Sequence, residues 1–233
     1  MTFPTRVSVF DARAGVWRRG AQEQTHMDGI SIRFSFDYVD PGSYLAHGLL
    51  ERWQRDRAVP VSVQWSALEL RAPGTSRIDP SEAGWSALVD AMRREAEAAD
   101  IPFTPPSHVP WTRKAHELAL HAHERGCFEP VHRALFEAHF VEGRDIGRVD
   151  ELTGLAERYG LMPAEVRTVL GVDRFGPRIE ELRKDALARG IRGVPTLEAG
   201  RWKLEGLENA SSFVEFLERA RNDVAASKFD QTR

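Results

Sequence analysis

An α/β fold, in which a βαβ unit and a ββα unit flank an all-helical insertion, is what this sequence of 233 residues predicts. Three observations carry that reading. Two strand-like runs, "ISIRFSFDYV" at 30–39 and "VPVSVQW" at 59–65, bracket a segment with apolar residues at helical spacing. From Pro80 to Gly190 every periodic segment has helical spacing. A strand pair and an amphipathic helix then close the chain.

Residues 1–28 come first and read as a poorly ordered extension. They carry Arg6, Arg13, Arg18 and Arg19 without the apolar centre of a secretory signal, and Met27, directly before "DGISIRF", is a second candidate start. The run at 30–39 is the first strand, and "PGSYLAHGLLERWQRD" at 41–56 is the helix that follows it. The alternating run at 59–65 completes a βαβ unit, which requires parallel strands and a right-handed crossover. "RAPGTSRIDP" at 71–80 reads as the boundary into the insertion. A helix at 81–99 presents Trp85, Leu88, Met92 and Ala96 on one face behind the start signal "DPSE". Further helices are expected at 111–125, 128–141, 147–159, 163–170 and 174–189. "VPTLEAGRWKLEG" at 194–206 makes two strands around Ala199-Gly200, and "NASSFVEFLERAR" is the closing helix. The chain thus divides into an extension at 1–28, an α/β domain from 29–79 and 190–222, an insertion at 80–189 and a tail at 223–233.

Composition narrows the function. With 42% hydrophobic residues the chain can bury a full core. Its 32 basic and 35 acidic side chains leave a net charge of -3, which supplies no general attraction to nucleic acid or to an anionic membrane. Small molecules or proteins are the expected partners, and no oligomeric state can be read from the pattern. No apolar run approaches the roughly 18 to 20 residues that span a bilayer. The single cysteine, Cys127, cannot form an intrachain disulfide, and no Cys/His zinc pattern occurs, so a cytoplasmic location is expected.

A strand ending "FDYV", a four-residue turn containing proline, a helix opening "SYLA", a helical insertion and a late "GVPT" resemble the DsbA family of thioredoxin-fold proteins over most of 30–220. "QWSALELRAPG", "AHELALHAHERG", "LFEAHFVEGRDIG" and "GIRGVPTLEAG" are most similar to its FrnE-like members. A more distant resemblance is to 2-hydroxychromene-2-carboxylate isomerases and kappa-class glutathione transferases, whose turn reads Ser-Pro-x-Ser. The resemblance implies a thioredoxin-like fold and a site at the turn Asp40-Pro41-Gly42-Ser43.

In the redox members that turn is Cys-x-x-Cys, because free N–H groups and the macrodipole at a helix start stabilise a thiolate. Here Asp40 and Ser43 occupy the two thiol positions, and neither exchanges a disulfide. Aspartate followed by proline is also a good helix start with no chemistry attached. Alternatively, a capping carboxylate that accepts backbone N–H bonds should have a lowered pKa and serve as a weak general base. An ionised Asp40 would repel a bound thiolate, which disfavours activation of glutathione but leaves its binding open.

By resemblance, Val194-Pro195 is the family's cis-proline, with the backbone of Val194 free to pair with an extended peptide or with glutathione. The expected ligand is therefore a small thiol or an extended peptide, held by Pro41, Tyr44, Val194, Pro195, Thr196 and Glu208, with Asp40 and Ser43 at the family's catalytic positions. No cofactor is required, although glutathione fits the resemblance. Where kappa-class relatives carry an Asp-Arg pair, this chain has Glu208-Asn209. The runner-up function is a glutathione-dependent isomerase or transferase in which Ser43, Tyr44 or Asp40 takes the polar role.

The remaining candidates read as structural. His116, His121, His123, His132 and His139 lie on two expected helices. His116 and His123 are seven residues apart, too far for paired ligands on one helix, while Glu117 and His121 have suitable spacing but no third partner. No metal is expected. Trp85, Trp111 and Phe136 are expected on helices over the groove, most simply as core residues.

Overall fold

The computed structural model describes residues 8–11, 16–19, 29–57 and 59–231. Within the segment read as an extension, β1 (Ser8–Asp11) and β2 (Val16–Arg19) pair antiparallel, and the rest of 1–28 lies outside the described residues. β3 (Ile30–Phe36), α1 (Pro41–Arg57) and β4 (Val61–Ala67) form the βαβ unit, with β3 and β4 parallel and in register from Ile30↔Val61 to Phe36↔Ala67. After the insertion, β5 (Thr196–Ala199) and β6 (Trp202–Glu205) form a hairpin, and β5 runs antiparallel to β3. The sheet order is β4-β3-β5-β6.

The insertion is helical throughout its regular elements: α2 (Ala83–Ala98), α3 (Arg113–Glu124), α4 (Phe128–Phe140), α5 (Val149–Glu157), α6 (Pro163–Gly171) and α7 (Gly176–Ala188). α8 (Ala210–Gln231) closes the chain and continues through most of the segment read as a tail. Ile30, Ile32, Phe34 and Phe36 alternate along β3 toward Leu45 and Leu49 of α1 and Phe213 and Leu217 of α8. The same core runs into the insertion through Tyr38, Leu118, Leu135, Phe136 and Leu152. At roughly 25 cal/mol per Å² of buried apolar surface, this shared core is the main force holding the insertion on the sheet. α7 packs against β4, where Leu68, Ala186 and Ile191 form a smaller cluster with Val194.

Three local expectations change. The first strand stops at Phe36 rather than Val39, because Asp40 N–H turns back to Asp37 O at 3.2 Å. In "DPSE", Asp79 Oδ1 accepts from Ser81 N–H at 2.8 Å and Ser81 Oγ–H at 2.7 Å, so it builds a turn upstream, while the N-cap Glu82 makes no side-chain cap bond. The buried stripe of α2 passes through Val89, Met92 and Ala96, leaving Leu88 at its edge and 36% exposed.

Candidate functional site

The β3–α1 turn is built by two aspartates. Asp40 is the α1 N-cap: its C=O accepts the first helical bond from Tyr44 N–H at 3.1 Å, and its Oδ2 accepts from Ser43 N–H and Ser43 Oγ–H, both at 2.6 Å. Pro41 follows at the first helical position, where a missing N–H costs nothing. Asp37 is fully buried, and its Oδ2 accepts from Leu70 N–H at 2.7 Å while its Oδ1 lies 3.1 Å from His116 Nε2 of α3. Asp37 N–H reaches Ser43 Oγ at 3.4 Å, so the hydroxyl links the two aspartates.

The second wall comes from the loop before β5. The Val194–Pro195 peptide bond is cis. Pro195 packs on the turn so closely that a Cβ built at Gly42 would lie 2.9 Å from Pro195 Cδ, so only glycine fits there without a shift. Pro195 C=O accepts from Gly206 N–H at 2.8 Å, whereas among the described residues Val194 makes no backbone hydrogen bond. Asp40, Pro41, Ser43, Val194 and Pro195 are therefore brought to one place.

The other expected ligand-binding residues are engaged elsewhere. Tyr44 stacks on Phe140 at 4.9 Å and donates its hydroxyl to Pro102 O at 2.5 Å. Thr196 is buried and donates to Gly193 O at 2.8 Å. Glu208 is exposed beside Asn209, whose Oδ1 accepts from Ser212 N–H at 2.9 Å at the start of α8. Phe136 is core, and Trp111, just ahead of α3, donates to Thr75 O at 3.2 Å.

Electrostatics overturn the expectation of a lowered Asp40 pKa. Burial pushes its carboxyl up to about 7, outweighing the Ser43 bonds, and the neighbouring Asp37 pushes the same way. The carboxyl is 3% exposed, and the bonds it accepts come from a neutral hydroxyl and N–H, which compensate an ion less well than water or a cation does. Near neutrality it therefore exists in both forms, and its neutral form can donate a hydrogen bond.

The sequence reading missed the partners of this turn. Asp37 was visible as an acid inside a buried strand, a pattern that calls for a partner. Tyr38, next along, bonds His132 Nδ1 of α4 through its hydroxyl at 2.8 Å. Burial, with His47 and His116 nearby, holds His132 well below the usual histidine range. Among the described residues no group of three or more His, Cys, Asp or Glu is arranged to hold a metal ion, and no helix is long and apolar enough to cross a membrane.

The family model described as DSBA-like thioredoxin domain matches residues 31–218. The uncharacterized protein YwbO of Bacillus subtilis is 27% identical over 190 residues, covering 79% of this chain and 94% of that protein. A probable DsbA oxidoreductase from Streptomyces coelicolor superimposes with a TM-score of 0.68 at 23% identity, covering 82% of this chain and 90% of the other. A 2-hydroxychromene-2-carboxylate isomerase gives 0.70 at 21% identity, covering 87% and 99%. At these identities the two structural likenesses speak for the fold.

Proposed function

This chain belongs to the DSBA-like thioredoxin domain family, and we propose that it binds a thiol ligand or an extended peptide between Asp40–Ser43 and Val194–Pro195 without exchanging disulfides. Exchange by a dithiol needs an attacking thiolate and a second thiol to resolve the mixed disulfide. The turn supplies a carboxyl and a hydroxyl in their place. Cys127, the chain's one cysteine, is half-buried at the start of α4, where burial pushes its thiol up and away from reactivity.

The observation that carries the binding reading is the unpaired backbone of Val194 beside Pro195, facing the turn across Gly42. An extended peptide or the peptide-like backbone of glutathione can add to such an edge by main-chain bonds. A cytoplasmic protein of this kind, with a lone thiol, needs no oxidising compartment.

One observation favours a second reading, a glutathione-dependent isomerase or transferase. With its pKa near 7, Asp40 can be neutral while a ligand thiol is ionised, and can then donate a hydrogen bond to the thiolate instead of repelling it.

Calorimetry with glutathione and S-methylglutathione at pH 6 and pH 8 separates the readings. Binding of both, with neither insulin reduction nor thiol-pKa depression, supports a binding protein. At pH 8, Asp40→Ser should tighten glutathione several-fold, because two unit charges at 4 Å interact by roughly 4 kcal/mol at an effective dielectric of about 20, before screening. S-methylglutathione, which has no thiolate, should change little. Tight wild-type binding of glutathione with a depressed thiol pKa moves the reading to the enzyme. Insulin reduction that persists after Cys127 is alkylated defeats the account of the turn.

A further inference from the structure

One helical turn beyond Ser43, α1 forms the wall of a cleft of about 360 Å³, at the small end of the range for ligand sites. Tyr44, His47 and Gly48 contribute from α1, Ile101 and Pro102 from the α2–α3 loop, and Arg133 and Glu137 from α4. Gly48 lets the loop approach, since a Cβ there would lie 2.9 Å from Ile101 Cδ1.

The charges lining the cleft do not all pair. Glu51 is held by Arg133, and Arg52 by Ala99 O and, at 3.9 Å, by Asp56. Among the described residues the side chains of Asp100, Glu137 and Arg55 make no hydrogen bond or ion pair, which leaves two acids against one base. Asp100 is unusual in its backbone as well. It stands directly after the α2 C-cap Ala99 with φ 53°, while Ile101 N–H closes the helix end on Ala96 O at 2.8 Å. Glycine is the usual residue at that left-handed position. The other left-handed non-glycine residue, Asp173 (φ 50°), has an evident purpose in its ion pair with Lys114. Asp100 has none within the protein. Glu137 points the same way, because burial pushes its carboxyl pKa up despite Arg133.

We propose that this cleft is a second ligand site, which takes a small amine of amino-acid to dipeptide size with its ammonium between Asp100 and Glu137 and its carboxylate toward Arg55. Tyr44, Ile101 and Pro102 give the cleft an apolar lining suited to a side chain, and charge-assisted bonds to two carboxylates recognise the ammonium. His47 adds no competing cation near neutrality, since burial holds its pKa at about 4.

Calorimetry with leucylglycine, N-acetyl-leucylglycine and leucylglycinamide at pH 7 tests the site. Leucylglycine should saturate it, and Asp100→Asn or Glu137→Gln should each weaken it about tenfold, or about 1.4 kcal/mol. Asparagine tolerates the left-handed conformation, so the melting midpoint of Asp100→Asn should stay unchanged and exclude misfolding as the cause. The acetylated peptide should bind at least tenfold more weakly and ignore both substitutions. Amidation should cost affinity in the wild type and nothing in Arg55→Gln. Failure of leucylglycine to saturate the protein below about 10 mM, the weak limit of useful affinity, overturns the proposal. Equal affinity for the acetylated and free peptides does the same.

Discussion

Two buried acids, Glu69 and Asp40, sit at comparable depth but in opposite company. The Glu69 side chain, just beyond β4, is fully buried and receives a forked pair of bonds from Arg113 of α3, at 3.0 Å from Nε and 2.6 Å from Nη2. Arg113 also reaches Glu180 of α7, so one guanidinium ties the sheet to two helices of the insertion. Asp40 is 3% exposed and has a hydroxyl and an N–H but no cation. A buried acid with a fitted cation is a structural tie, whereas one without a cation becomes a group that titrates near neutrality. That contrast marks the turn as the chemically active region.

The largest expected effect breaks the tie. Arg113→Met strands Glu69 as an unpaired buried charge and should cost about 3–5 kcal/mol in urea unfolding. Adding Glu69→Leu should recover most of the loss, and an additive double variant would show that the pair is not the tie described.

Asp40→Asn sharpens the other side of the comparison. A carboxyl whose pKa rises from 3.8 to about 7 on folding adds stability that is complete below pH 4 and lost as pH rises through 7. The total approaches about 4 kcal/mol as an order-of-magnitude upper figure. Wild type and Asp40→Asn should therefore match at pH 4, with the variant more stable at pH 8. A difference that stays flat between those pH values would reduce Asp40 to an ordinary cap. The difference must be read rather than either curve alone, because buried histidines tilt both the other way. His47 and His139 are held at about 4 by burial, so their contribution is present above pH 6.5 and lost as pH falls through 4.

The smallest expected effect concerns the wall between turn and loop. Gly42→Ala should cost about 1–2 kcal/mol net, the overpacking against Pro195 outweighing the better helix propensity. Glutathione or peptide binding should weaken with it, measured in the same titrations. Unchanged stability and binding would mean that Pro195 yields easily and that the contact does not shape the groove.

The regular elements were legible in the sequence because each declares its own period. The alternation in "ISIRF", the helical spacing after Pro41 and the run of helices from 83 to 188 need no knowledge of distant partners. Asp40-Pro41 likewise announced a helix start, since capping is local to about four residues. The boundaries that failed were set by partners elsewhere in the chain or by competing local turns: Asp37, held by Leu70 and His116, lies where β3 gives way to the turn. The pKa of Asp40 was wrong in direction because its accepted bonds are local and visible, whereas the burial that outweighs them is assembled from remote segments. Which acids lack a cation, that Gly42 meets Pro195, and that Asp100 faces a cleft with Glu137 and Arg55 were decided by tertiary structure alone. Those properties depend on distances between residues far apart in sequence, which local periodicity does not encode.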